Sequence, residues 1–173
     1  TQLPYITDVR INRSFPDGLN VVVTETHAAL AVESGGAWWL VSRDGKIVDV
    51  TDEAGAQEYV LLRGMAAQEV QIGTQLALAA ESAMTAQRLM ELVAKLGERG
   101  MLEKTQSIDA SDREILVIQY DGRFDVELYY DADLDFKLDC LRAAVGELEP
   151  NETGIIRMTM KDENEVRLIP KKK

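Results

Sequence analysis

Residues 123–170 constrain the fold of this chain more than any other stretch. They open with RFDVELYY, in which Phe124, Val126 and Leu128 alternate with Arg123, Asp125 and Glu127. A period of two with one apolar face reads as a strand covered on one side. DADLDFKLDCLRAAVGELEP follows. Leu134, Leu138, Leu141, Val145 and Leu148 fall at intervals of 4, 3, 4 and 3, one stripe of an amphipathic helix. Asp131 or Asp133 can cap this helix, and Pro150 stops it. The segment then continues as IIRMTMKD and ENEVRLIP, one or two closing strands. Ile156, Met158 and Met160 share one face, with Ile155, Arg157 and Thr159 on the other. After a polar bend at Asp162, Glu163 and Asn164, Val166 and Leu168 alternate with Arg167 and Ile169. A strand, a helix to cover it and a last strand near the chain end predict a sheet whose edge is the final strand.

The upstream chain supplies the rest of that sheet. Residues 6–14 and 19–26 (LNVVVTET) read as a β-hairpin about the turn Phe15, Pro16, Asp17 and Gly18. Such a hairpin is too small to be stable alone in water. Strands are expected at 28–33 and 37–42 about Gly35 and Gly36, and at 46–50 after the Asp44-Gly45 turn. Trp38 and Trp39 are adjacent and so face opposite sides, as core or cover. Residues 51–58 read as a loop, 59–62 as a short strand ending at Gly64, and 65–74 as a second loop. Leu89, Leu92, Val93 and Leu96 set a helix over 79–99, its start open as far back as Leu76, and Gly100 ends it. Strands follow at 104–109 and 114–120. The second, EILVIQY, is apolar on both faces, which places it centrally and covered on both sides. The fold expected is α+β: a mixed or antiparallel β-sheet with two amphipathic helices packed on it, preceded by a β-hairpin.

Few chemistries are open to these residues. A net charge of −11 argues against a nucleic-acid backbone or an anionic lipid surface as the main ligand. Lys171, Lys172 and Lys173 form the only basic cluster, a solvated tail. The single cysteine, Cys140, forbids an intrachain disulfide, which fits a reducing compartment and equally an exported domain with a sufficient core. No run of 18 apolar residues is present. His27, the one histidine, reads as a structural or surface residue, and one His with one Cys makes no metal site. Asp131, Asp133 and Asp135 open like a calcium loop, but Leu134 and Phe136 interleave them where a helix begins, so capping explains them better. Glycine-rich phosphate loops and nucleophile motifs are absent, and no cofactor is expected. Acid pairs such as Asp109 and Asp112 leave a carboxylate-dependent hydrolase as the competing reading.

The order of features resembles the extracytoplasmic part of the bacterial cell-division protein FtsQ, called DivIB in Gram-positive bacteria. Leu3-Pro4-Tyr5-Ile6, Val9 to Pro16 (VRINRSFP) and Leu19 to Glu25 (LNVVVTE) resemble the family's first conserved stretch, with Phe15 in place of the usual Trp. Trp39 to Val48 (WLVSRDGKIV) resembles its Trp-bearing hairpin, and Leu61-Leu62-Arg63-Gly64 a later segment without its Pro. Asp121-Gly122-Arg123, Lys137-Leu138 and Gly154-Ile155-Ile156-Arg157 resemble its closing motifs. Tyr129 stands for a usual Gly, and Arg157 for a common Asp.

The resemblance implies a division of the chain. Residues 1–30 would be the C-terminal half of a POTRA domain, 31–170 the β domain and 171–173 a basic tail. The chain opens TQLPYITDVR without a leader or initiator Met, so a single-pass anchor is expected ahead of it, with the domain on the outer face of the cytoplasmic membrane. The implied function is a non-enzymatic scaffold of the divisome, binding FtsB/DivIC-like and FtsL-like division proteins and supporting septum formation. FtsB-like partners add a strand to the last strand of the sheet in this family, a mode that draws affinity from main-chain hydrogen bonds. The partner-facing edge is expected over 155–168, through Ile156, Met158, Met160, Asp162, Glu163 and Leu168, with Arg113 as a further contact. Asp162 and Glu163 could instead mask an edge, as charges on edge strands do. Two other readings are a hydrolase of wall polymers and a POTRA-type binding module with another partner.

Overall fold

The computed structural model describes residues 6–14, 18–79, 84–159 and 166–170. β1 (Ile6–Ser14) and β2 (Gly18–Glu25) pair antiparallel in a sheet of their own, with Ile11 opposite Val21 and Arg13 opposite Leu19. β3 (Ala28–Ser34) and β4 (Ala37–Ser42) turn at Gly35 and Gly36, whose φ angles of 64° and 79° give the twist a tight hairpin needs. β5 (Ile47–Thr51), α1 (Glu53–Ala56), β6 (Val60–Arg63), β7 (Ala67–Gln68) and β8 (Ala77–Leu78) follow. Next come α2 (Ala86–Glu98), a 3₁₀ turn (Leu102–Lys104), β9 (Thr105–Asp109), β10 (Ile115–Tyr120) and β11 (Phe124–Tyr129). α3 (Leu134–Glu147), β12 (Gly154–Arg157) and β13 (Arg167–Pro170) close the order.

Nine strands form one mixed sheet in the order β13-β12-β11-β10-β9-β6-β3-β4-β5. Three neighbouring pairs are parallel: β3 with β6, β6 with β9, and β11 with β12. A parallel pair needs a crossover. The three crossovers contain α1, α2 and α3 in turn. The architecture is thus α+β, with β3 joining the large sheet from Ala28, two residues before the division expected at Leu30.

The helices bury their stripes against one face. α2 buries Leu89, Leu92, Val93 and Leu96, and α3 buries Leu134, Leu138 and Leu141. They join a continuous core with Leu30, Leu62, Ile108, Ile118, Val126 and Ile156 from six strands. Asp133 caps α3, its carboxylate accepting from the Phe136 amide at 3.1 Å. Across the helix pair, Lys95 meets Asp135, and Arg99 reaches Asp135 at 2.9 Å and Asp139 at 3.1 Å. Hydrogen bonds from Lys95, and then from Arg99, hold the Asp135 carboxyl below the usual carboxylate range. A smaller core of Ala31, Leu40, Val48, Ala56 and Leu61 lies on the other face, beneath α1. Trp38 packs on this smaller core and Trp39 on the larger, its indole N–H donating to the Ser34 carbonyl at 3.2 Å.

Several elements differ from the sequence expectation. Residues 51–58 are not all loop, because Asp52 caps the short α1 by accepting from the Gly55 amide at 2.9 Å. The loop expected over 65–74 contains β7, paired with β8. α2 begins at Ala86 behind its cap Thr85 rather than near Ala79, since Ala77 and Leu78 are taken by β8. β12 ends at Arg157 instead of running to Lys161. β10 is central, but its cover is one-sided. Leu116, Ile118 and Tyr120 are buried under the helices, while Ile115 and Val117 stay half-buried and Gln119 is exposed on the other face.

Candidate functional site

The two ends of the large sheet are built differently. At the β5 end the backbone groups of Ile47 and the amide of Val50 are occupied from outside the sheet. The Ile47 amide donates to the Thr74 carbonyl, the Gly73 amide donates to the Ile47 carbonyl, each at 2.8 Å, and the Asp49 carboxylate accepts from the Val50 amide at 2.8 Å. At the β13 end no further strand pairs with the sheet among the described residues.

The register fixes what β13 presents. Gly154 and Met158 donate their amides to the carbonyls of Arg123 at 3.1 Å and Glu127 at 2.8 Å, on the β11 side. Backbone groups alternate sides along a strand, so Ile155 and Arg157 turn theirs toward β13. Their partners there are Ile169 and Arg167. Leu168 therefore points its N–H and C=O away from the sheet. Pro170 points outward too, but brings only a carbonyl. The ledge is short, with one donor at its centre and a proline at its end.

Side chains alternate by the same parity. Leu168 stands opposite Ile156 and, half-buried like Val166, packs on the main core. Ile169 and Arg167 stand opposite Ile155 and Arg157 on the face away from the helices. On that face Arg157 binds Glu127 at 2.7 Å. The hydrogen bond to this carboxylate, with its charge, raises the Arg157 pKa. Gly154 makes the close approach of β13 possible: a Cβ there would lie 2.3 Å from the Ile169 carbonyl oxygen.

The expected site residues distribute as follows. Leu168 lies on the open edge. Ile156 and Met158 are each 1% exposed and belong to the core, so their side chains hold β12 down and do not line the edge. Met160, Asp162 and Glu163 lie outside the described residues. Arg113 is exposed in the turn before β10 and borders a hollow of about 410 Å³ with Glu114, Tyr129, Tyr130 and Asp131. The Asp112 carboxylate forms this turn by accepting from the amides of Glu114 at 2.7 Å and Ile115 at 2.9 Å, bonds that hold its pKa below the usual range. Tyr130 donates its hydroxyl to the Asp112 carbonyl at 2.8 Å. Burial, followed by the charges of Asp112 and Asp109, pushes this phenol up to about 12. Registers place Tyr129 two residues beyond the Glu127–Arg157 level, at the end of the sheet where β13 starts.

A larger hollow of about 510 Å³ opens at the other end of the strands, bordered by Arg43, Glu58, Arg63 and Glu103, all exposed. His27 is exposed, and among the described residues no group of three or more His, Cys, Asp or Glu could hold a metal ion. No helix among them is long and apolar enough to cross a membrane.

No protein-family model matches the chain. Among curated proteins it is similar to the cell division protein DivIB of Clostridium acetobutylicum, 24% identical over 75 residues, or 43% of this chain. The match spans 30% of that relative's length. Among solved structures it is similar to the major extracytoplasmic domain of the trans isomer of DivIB from Geobacillus stearothermophilus, at 11% identity and a TM-score of 0.40, covering 74% of this chain and 98% of that one. The sequence similarity supports an FtsQ/DivIB-like chain.

Proposed function

We propose that this FtsQ/DivIB-like chain is a non-enzymatic scaffold of the division machinery that takes up one strand of a partner at β13. The partners this reading implies are FtsB/DivIC-like and FtsL-like division proteins on the outer face of the cytoplasmic membrane. The observation that carries it is the asymmetry of the sheet: at one end Ile47 and the Val50 amide are occupied from outside, and the other end presents the Leu168 amide and carbonyl. A strand laid there gains main-chain hydrogen bonds from groups already in extended conformation. Partner residues flanking that strand would pass Tyr129 and Arg113, which border the hollow at the end of the sheet where β13 begins.

The hydrolase reading needs a carboxyl with a raised pKa as general acid. Asp112 and Asp135 are moved the other way, by amide donors and by Lys95 and Arg99. The scaffold reading is tested by Leu168→Pro. An edge strand tolerates proline where the N–H faces outward, so both inward pairs survive. In calorimetric titration with the extracytoplasmic segment of the cognate DivIC-like protein, affinity should fall about tenfold or more, as expected for a lost hydrogen bond with ring crowding. Unchanged affinity in the folded variant contradicts strand uptake at β13.

A further inference from the structure

The loop joining β7 to β8 does more than connect them. It crosses the end of the sheet and runs antiparallel to the start of β5, with Lys46 and Gln75 as a bridge. The Ile47 amide donates to the Thr74 carbonyl and the Leu76 amide to the Gly45 carbonyl, each at 2.8 Å, the two bonds that flank this bridge, and the Gly73 amide caps the Ile47 carbonyl. The loop is preformed for this. Gly73 takes a φ of 94°, and the Thr74 hydroxyl donates to the Gln71 carbonyl at 2.8 Å. Its base is fixed by the β7–β8 pairing and by Leu76, which is buried.

We propose that residues 69–76 are a strap that closes β5 to the β13 edge of a second copy of this chain. A sheet with unpaired edges at both ends can join copies head to tail, β13 of one along β5 of the next. Such a contact does not close on itself and extends into a filament. The strap occupies the start of one of the two complementary edges, and the Asp49 carboxylate takes up the Val50 amide further along β5. Val50 and Ile72 remain 43% and 42% exposed on these two segments, apolar surface that an incoming strand would cover. The inference concerns the sheet end opposite the proposed docking edge and stands whether or not a division partner binds β13.

The test uses the whole chain with Gly73→Pro, which removes the amide given to Ile47 and forbids the positive φ. Sedimentation velocity over a hundredfold concentration range should show a monomer for the parent and a rising mass for the variant. Adding Leu168→Pro, which removes the outward donor of β13, should return the variant to a monomer. If Gly73→Pro does not fold, Gly73→Ala strains the same φ without touching neighbouring atoms and is carried through the same comparison. A folded strap variant that stays monomeric while its Ile47 amide exchanges freely overturns the proposal. Self-association that Leu168→Pro leaves intact overturns it too.

Discussion

Replacing Gly154 by alanine probes the edge at its narrowest point. The added Cβ would sit 2.3 Å from the Ile169 oxygen, 3.0 Å from its carbonyl carbon and 3.1 Å from the Pro170 Cα. Ordinary contact of a Cβ begins at 3.4 Å, so the end of β13 must move outward by about 1 Å. The obstacle is backbone, which cannot swing aside as a flexible side chain can. The displacement falls on the Ile155–Ile169 pair, one of the two inward pairs that hold β13. Losing its two hydrogen bonds at about 0.5–1.5 kcal/mol each weakens the docking of β13 by about 1–3 kcal/mol. That corresponds to about a 5- to 150-fold shift in the docked population. Amide hydrogen exchange read by NMR is the assay. The Ile169 amide, which faces inward, should exchange faster by this factor, while Val126 and Ile118 in the central strands keep their protection. Affinity for the DivIC-like segment should fall in step. An Ile169 amide as protected as in the parent, in a folded variant, would refute the register and the close approach.

Gly64→Ala should cost more, because φ is 67° and the new Cβ would lie 2.2 Å from the Ser111 amide nitrogen. The left-handed backbone alone accounts for about 1–2 kcal/mol, so the urea midpoint should fall clearly. Asp133→Ala removes the cap of α3 and should destabilise the fold by about 1 kcal/mol in the same measurement. The ion pairs between α2 and α3 predict a pH dependence. Asp135 has a folded pKa below its ordinary 3.8, so its contribution is complete above that value and is lost as pH falls through the lower folded value. Asp135→Asn should therefore narrow the gap to the parent below pH 3.8, and an equal difference in stability at neutral and acid pH would contradict the pairing.

What the sequence revealed depended on how local the cause was. α3 was legible because its stripe of leucines at 4, 3, 4 and 3 is a property of one segment. The β3–β4 hairpin was legible because Gly35 and Gly36 alone make its turn. The short α1 is four residues without a periodic stripe, and only Asp52 ahead of Glu53 signals it. β10 shows the opposite limit. Ile115 and Val117 look like a second buried face, yet they stand opposite Asp109, Glu127 and Tyr129 on neighbouring strands, and α1, the helix on that face, lies over β4 and β5 instead. Pairing across distant segments decides this, and no single run of residues encodes it. The candidate site divides the same way. Alternation set Ile156 and Met158 on one face, but only the helices above them make it the buried one. Leu168 became an edge residue because β13 pairs inward through Arg167 and Ile169, a parity that follows from the Gly154 and Met158 amides bonding to β11. Parallel pairing of β6 with β3 and β9 put β3, β4 and β5 at the other end, where the β7–β8 loop lies along the start of β5. Gly73 and Thr74 in a polar loop were the sequence signal for that, and they read as loop alone.

In the proposed scaffold β13 receives a partner strand through the outward amide of Leu168. Residue-resolved amide exchange of the whole chain, alone and with the cognate DivIC-like segment, tests it most directly. Alone, Arg167 and Ile169 should be protected and Leu168 should exchange as an open amide. With the partner bound, Leu168 should become protected while the amides of β5 do not change. A Leu168 amide that exchanges freely in a saturated complex would rule out strand uptake at β13.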